Sequence, residues 1–343
     1  MSLKVANTIV ITDDLRGRFA NTTFTNGAYL VMPEDPSVEF RFQGTISGYI
    51  AGGDTVPRAS IQKFPFASST NATEVGVLTQ LKIDPSMQSS QSHGYTAAGF
   101  QPDGPSASNV IDKFPFATDA GASDVGDISQ SKESPSGHSS LLNSYGYSAS
   151  GNLGPSFTQQ IDRFPFASDT NSVKTGDTTS PGRYRHGGHS SDTKGYMSGA
   201  LVTSPSTAVT NVIESFSFVN DIGDGGDVGD LGTAVKGPAS ISSETHGYAA
   251  TGGSHPAGTY NTINQKFSFV TDGNSSNVGS LNNGRDQAYG VSSTTHGFVA
   301  GGKNPSAISS IERFPYASDS ENASGVGDLV AARTRGSEEG SQR

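Results

Sequence analysis

The chain has 343 residues, a net charge of −10, 43 glycines, 17 prolines and 32% hydrophobic residues, with neither cysteine nor tryptophan. That balance suits short strands and many turns, and the lack of cysteine excludes disulfides and thiolate chemistry. The acidic charge argues against broad binding to nucleic acid or an anionic membrane, and no apolar run approaches the roughly 20 residues that span a bilayer.

In chain order, the opening MSLKVANTIVITDD lacks a signal-peptide pattern. An extracellular role would therefore need another exit, such as lysis. TIVITDD and RGRFANTTFTNGAYLV alternate apolar and polar residues, which predicts two or three strands. Residues 1–43 read as an N-terminal β segment and residues 44–343 as a repeat array.

The array carries three elements in fixed order. The first is GYIAGG, GYTAAG, GYSASG, GYMSGA, GYAATGG and GFVAGG, with aromatics at Tyr49, Tyr95, Tyr147, Tyr196, Tyr248 and Phe298. The second is an aromatic core such as IDKFPFAT or IESFSFVN, its first aromatic at Phe64, Phe114, Phe164, Phe216, Phe267 and Phe314. The third is EVGVL, DVGDI, KTGDT, DVGDL, NVGSL or GVGDL. Six copies spaced by about 50 residues are the signature of propeller blades. The Gly-Tyr element supplies strand B, the aromatic core strand C and the Val-Gly element strand D, while strand A falls in the Ser-rich lead-in, such as GHSSLLNS before Gly146. Pro65, Pro115, Pro165 and Pro315 lie inside strand C, where Ser217 and Ser268 stand in the other copies. A proline has no N–H to give a ladder, which predicts a bulge or an early strand end. Two segments compete to complete the first blade: the tail AARTRGSEEGSQR, or VEFRFQG just before Gly48.

The order HGFVAGG, SIERFPYASD, VGDLVAAR resembles the kelch repeat, and the resemblance spans roughly residues 44–343. It implies an all-β fold, a six-bladed kelch-like β-propeller of four-stranded blades. Kelch repeats usually carry a Trp on the outer strand, which is missing, and only Gly52-Gly53, Gly252-Gly253 and Gly301-Gly302 keep the full glycine pair. The N-terminal pattern resembles the opening of tail-fibre and other virion proteins of bacteriophages. The FPFASDT…VGD…HGY phrase resembles repeats in structural proteins of marine and cyanobacterial phages. These resemblances imply a virion protein of a tailed phage, a tail-fibre or spike appendage assembled in the host cytoplasm. Residues 1–43 would join it to other virion proteins in multiple copies per particle, a homotrimer being one arrangement, and the propeller would meet a host-surface glycan. A purely structural virion brace and a cellular surface lectin are the alternatives.

Catalytic motifs are missing: there is no HExxH, Walker loop or GxSxG elbow. The repeated Asp-box of propeller sialidases needs a Trp, and propeller copper oxidases need a Tyr–Cys crosslink. The expectation is a protein without enzymatic activity or cofactor. Asp221, Asp224, Asp227 and Asp230 in DIGDGGDVGD lack EF-hand spacing and read as a solvated turn. His93, His246 and His296 share one place in the repeat, filled elsewhere by Ser47, Tyr145 and Lys194; they read as hydrogen-bonding groups at strand ends rather than metal ligands. His186 and His189 form a local cluster.

One regularity is positive. Seven or eight residues after each outer-strand Val or Thr comes a base: Lys82, Lys132, Arg183, Lys236, Arg285 and Arg333. In a propeller these six would encircle one mouth of the channel. They would either bind an anion, such as a sugar carboxylate or a lipopolysaccharide phosphate, or bridge to the next blade's carbonyls and carboxylates. The segments between strands B and C vary most among copies and share a face with the D–A connections. Arg58, Phe157, Tyr184 and Tyr260 would mark a recognition surface there, or the variation would be drift in unimportant turns.

Overall fold

A computed structural model of the chain describes residues 3–5, 8–11 and 42–342, apart from 57–58, 105, 155, 180–181, 204–205, 220–224, 257 and 337–339. The chain divides into two units, Met1–Glu39 and Phe40–Arg343. In the first, strands β1 (Leu3–Val5) and β2 (Thr8–Ile11) pair antiparallel. The stretch at 16–31 that sequence reads as further strand lies outside the described residues.

The second unit is a six-bladed β-propeller of four-stranded antiparallel blades. Blade 1 holds β3 (Ser47–Ala51), β4 (Ser60–Pro65) and β5 (Thr73–Val77). Blade 2 holds β6 (Ser86–Ser89), β7 (His93–Ala97), β10 (Val110–Pro115) and β11 (Ser123–Asp127), with a small hairpin, β8 (Phe100–Gln101) and β9 (Ser106–Ala107), between its second and third strands. Blade 3 is β12 (Ser136–Ser140), β13 (Tyr145–Asn152), β14 (Phe157–Pro165) and β15 (Val173–Asp177). Blade 4 is β16 (Gly187–Ser190), β17 (Lys194–Val202), β18 (Ala208–Ser217) and β19 (Gly226–Asp230). Blade 5 is β20 (Ala239–Ser242), β21 (His246–Gly253), β22 (Tyr260–Ser268) and β23 (Ser276–Ser280). Blade 6 is β24 (Tyr289–Ser292), β25 (His296–Ala300), β26 (Ile308–Pro315) and β27 (Ser324–Arg333).

The tail closes the disc. Strand β28 (Ser341–Gln342) pairs with β3 as the inner strand of blade 1, Ser341 opposite Tyr49 and Gln342 opposite Gly48. Of the rival segment, the described residues Phe42, Gln43 and Gly44 take no place in that ladder. Gly44 bonds to the end of β24 (Gly44 N to Ser292 O, 2.9 Å), and Gln43 Nε2 donates to Ser242 O at 3.0 Å.

A ring of hydrogen bonds runs around the inner strands. The amide of Ser89 donates to Ser139 Oγ, Ser139 to Ser190, Ser190 to Ser242, Ser242 to Ser292, Ser292 to Gln342 Oε1, and Gln342 back to Ser89 Oγ. An inner strand has no fourth neighbour of its own, so its outward N–H would otherwise be an orphan. A small hydroxyl from the next blade satisfies it, which explains the Ser-rich lead-in to each Gly-Tyr.

The core lies between blades. Each strand-B aromatic packs on the strand-C pair of the following blade: Tyr147 meets Phe216 at 5.6 Å and stacks on Phe218 at 4.7 Å, and Phe298 stacks on Phe66 at 4.9 Å across the closure. The glycine before each aromatic clears space for the ring beside it in its own blade; a Cβ on Gly146 would lie 2.5 Å from Phe164 Cζ. The prolines end strand C, as do Ser217 and Ser268. The bulge lies in the neighbouring strand D, where Thr175 is the extra residue between the partners of Ile161 and Asp162.

Candidate functional site

The D–A connections and the segments after strand B share one face, tied by backbone bridges Ile83↔Phe100, Glu133↔Asn152, Tyr184↔Leu201, Lys236↔Gly253 and Asp286↔Lys303. Each bulge puts its extra residue in strand D, as at Val75, Val125 and Thr175, opposite a strand-C side chain buried beneath the face: Gln62, Asp112, Asp162, Glu214, Gln265 or Glu312.

Five of the six bases anticipated from sequence lie in that interior. Lys82 Nζ contacts Asp112 Oδ2 at 2.9 Å and donates to Val110 O at 2.7 Å. Lys132 Nζ contacts Asp162 Oδ2 at 2.9 Å and donates to Ser148 O at 3.0 Å and Gln160 O at 3.2 Å. Arg183 pairs with Glu214 and Arg285 with Glu312, while Arg333 donates to the carbonyls of Gly52 and Ser60 beside the neutral Gln62. All five bases are fully buried. Burial pulls the Lys82 and Lys132 ammonium groups below their ordinary values, against the opposing pull of Asp112 and Asp162. Lys82, Lys132, Arg285 and Arg333 each donate to a carbonyl on or just after strand B and to one on strand C of the blade they enter, while Arg183 meets Glu214 of strand C.

Lys236 stands one residue out of register. The amides of the turn after strand B, on Gly53, Gly99, Gly151, Ala200, Gly252 and Gly302, donate to Lys82 O, Lys132 O, Arg183 O, Val235 O, Arg285 O and Arg333 O. Val235 therefore occupies the base's seat in blade 5, facing the neutral Gln265 rather than an acid. Lys236 falls in the row of Ile83, Glu133, Tyr184 and Asp286, next to the axis.

The residue after that row is left-handed in every blade: Asp84, Ser134, Arg185, Gly237, Gln287 and Arg335 have φ of 49°, 49°, 55°, 56°, 55° and 56°. A left-handed non-glycine costs about 1–2 kcal/mol, and here the backbone gains in return a chain of five bonds that links the six positions. Ser134 N donates to Asp84 O (3.0 Å), Asp84 N to Arg335 O (2.8 Å), Arg335 N to Gln287 O (3.3 Å), Gln287 N to Gly237 O (2.8 Å) and Gly237 N to Arg185 O (2.8 Å). These residues frame the axial mouth on the variable-loop face. On one side Asp84 Oδ2 takes Arg335 Nη2 at 2.8 Å and Ser134 Oγ at 3.1 Å. On the other stand Arg185, Lys236 and Lys303 with Asp286 and Gln287.

Of the aromatics expected on this face, Phe157 and Tyr184 stack at 5.3 Å with 17° between planes, and the Arg185 guanidinium lies 5.5 Å over the Tyr184 ring. Tyr260 begins β22; Arg58 lies outside the described residues. Asp221 and Asp224 also lie outside them, while Asp227 Oδ1 accepts from Gly229 N at 3.1 Å. His93, His246 and His296 each bond Nδ1 to the preceding hydroxyl at 2.8 Å. His189 is buried between blades, as is His138, which sequence reasoning passed over although it sits at the same place in its blade. Each holds the next blade's carbonyl through Nδ1, at 3.1 Å for His189 to Ile241 O and 3.0 Å for His138 to His189 O. Among the described residues, no group of three or more His, Asp or Glu is placed to hold a metal ion.

No protein-family model matches the chain, and no curated protein matches it. Chemically, the mouth offers cations, two buried carboxylates, Asp84 and Asp286, and the buried amide of Gln287.

Proposed function

We propose that this chain is a non-catalytic virion protein of a tailed bacteriophage, a tail-fibre or spike appendage whose kelch-like propeller presents its variable-loop face to the host surface. The observation that carries this reading is the gathering of the most variable segments, a partly exposed aromatic pair and cations with no carboxylate within 4.0 Å among the described residues on one face of a propeller closed by a ring of inner-strand hydrogen bonds. A rigid scaffold with adaptable loops suits recognition, and many weak contacts become avid when a particle carries many copies. The resemblance of residues 1–40 and of the FPFASDT phrase to phage structural proteins supports the virion setting, with residues 1–43 joining other virion proteins.

Cryo-electron microscopy of the particle combined with a glycan array of the purified chain tests this. The expected result is a disc at the tip of a fibre or spike, loop face outward, with glycan binding that drops on Phe157→Ala/Tyr184→Ala. A disc wedged between virion proteins with that face covered, and no glycan bound, would replace the attachment role with that of a structural brace. Turnover of any glycan would overturn the non-catalytic reading.

A further inference from the structure

We infer that the part of the axial mouth built by blades 4 to 6 binds an acidic saccharide, with Arg185, Lys236 and Lys303 holding its carboxylate or phosphate and Asp286 and Gln287 its hydroxyls. The inference deepens the attachment reading and rests on it for the source of such a sugar.

Charge pairing elsewhere in the chain makes these cations stand out. On the rim, Lys63, Lys113, Lys194 and Lys266 each meet an aspartate at 2.8–3.2 Å, and at the mouth Arg335 meets Asp84. Among the described residues, Arg185, Lys236 and Lys303 have no carboxylate within 4.0 Å, although Lys236 is only 6% exposed. The Lys236 stem is packed away, and the one carboxylate that acts on all three cations is Asp286, beyond ion-pair distance. Three cations about a single acid leave positive charge that favours an incoming anion.

Backbone pairing brings the five residues together. Lys236 is bridged to Gly253, and a Cβ on Gly253 would lie 2.7 Å from Asp286 Oδ2. Asp286 is bridged to Lys303, and Gly237 joins Arg185 on one side to Gln287 on the other at 2.8 Å each. Gly237 is the one left-handed position of the six without a side chain, which keeps this sector of the ring open.

The second observation is polar. Asp286 and Gln287 are 2% and 1% exposed, yet Asp286 Oδ1 and both side-chain amide atoms of Gln287 have no hydrogen-bond partner. Buried groups of this kind ordinarily find partners. Asp286 Oδ1 would repel a bare anion but accepts a hydroxyl proton, and the Gln287 amide both donates and accepts. A ligand with an acidic group and neighbouring hydroxyls satisfies all five residues at once. Tyr184, next to Arg185 and stacked on Phe157, offers a flat face for the apolar side of a sugar ring. Burial raises the Asp286 carboxyl and lowers the Lys236 ammonium, and an anion beside Lys236 would oppose that lowering.

Calorimetric titration of the full chain with glucuronate, glucose 6-phosphate, glucose, inorganic phosphate and a short poly-glutamate peptide tests the site. At least one acidic sugar should bind tenfold or more tightly than glucose and inorganic phosphate, and the tighter of the two names the acidic group. Lys236→Met and Arg185→Gln should each weaken it about tenfold. Lys303→Gln, at a partly exposed position that leaves the fold undisturbed, should weaken it severalfold, and the rim control Lys63→Ala should not. Equal binding of glucose and the acidic sugars, tighter binding of phosphate alone or of poly-glutamate, or indifference to Lys303→Gln would overturn the assignment. Acidic-sugar binding by a chain that ignores host cells leaves this site standing and removes the attachment role. Glycan binding that ignores both acidic groups and Lys303→Gln does the reverse.

Discussion

Acid should loosen the propeller through two buried histidines, and His138→Gln/His189→Gln should remove most of that sensitivity. His138 donates Nδ1–H to His189 O and accepts from Ser136 Oγ through Nε2 at 2.8 Å; His189 donates to Ile241 O and accepts from Ser198 Oγ at 2.8 Å. Both rings are fully buried against the edges of Phe216 and Phe267. Burial pushes His138 from its ordinary 6.5 down to about 3 and His189 down to about 4. The unfolded chain therefore binds protons in this range that the folded chain refuses, so stability is full above about pH 6.5 and falls as pH drops towards the folded values. Each pH unit costs about 1.4 kcal/mol per ring, so at about pH 4.5 the two together cost about 5 kcal/mol. That rivals the whole stability of an ordinary domain, about 5–15 kcal/mol. Glutamine is the fitting replacement because Gln88 holds the same seat in blade 2, donating Nε2 to Tyr147 O at 2.9 Å. The assay is urea unfolding at about pH 7.5 and about pH 4.5 for both proteins. His186, also buried and pushed well below its ordinary value, remains in both and cancels from the comparison. An equal loss of stability between the two pH values in parent and variant would refute the reasoning.

Two further outcomes follow from the polar interior. Lys132→Met leaves Asp162 buried without its partner and should cost about 3–5 kcal/mol, with Lys132→Met/Asp162→Leu recovering a large part; chemical denaturation measures both. Deleting residues 341–343 removes the bonds from Ser341 Oγ to Gln88 O and from Gln342 to Ser89 and Ser292. With the β3 ladder also lost, that is about 3–4 kcal/mol at about 1 kcal/mol per bond, and calorimetry should show a lower melting temperature.

The fold was legible because its core repeats in the residues that carry most burial. Tyr147, Phe164, Phe216 and their equivalents recur with a period set by blade geometry, and the glycine before each strand-B aromatic recurs because the ring beside it needs the space. The inner strands were harder to see. Ser139 and Ser190 carry little hydrophobic signal, and their purpose, capping a neighbour's amide, exists only once the ring is closed. The same holds for the choice between the two closing segments: Gln342 fills a serine's place by virtue of its oxygen, an equivalence invisible to residue type.

The candidate site was half legible, and the reason is register. A six-fold series of bases could be drawn from sequence only by letting the spacing slip by one, and that slip set Lys236 among the bases of the interior. In the fold the series is five bases and Val235, and wherever strand C supplies an acid at the bulge the entering residue is basic: Asp112, Asp162, Glu214 and Glu312 face Lys82, Lys132, Arg183 and Arg285. Where strand C supplies Gln265, the entering residue is a valine. That co-occurrence of acid and base is present in the sequence, in the residue two before the strand-C aromatic, but Gln62 goes with the basic Arg333, so a neutral residue there does not by itself single out Lys236. What no spacing could show is that Lys236, Arg185 and Lys303, drawn from three connections of different length, meet beside one axis without carboxylate partners. These are the residues on which the proposed acidic-saccharide site rests.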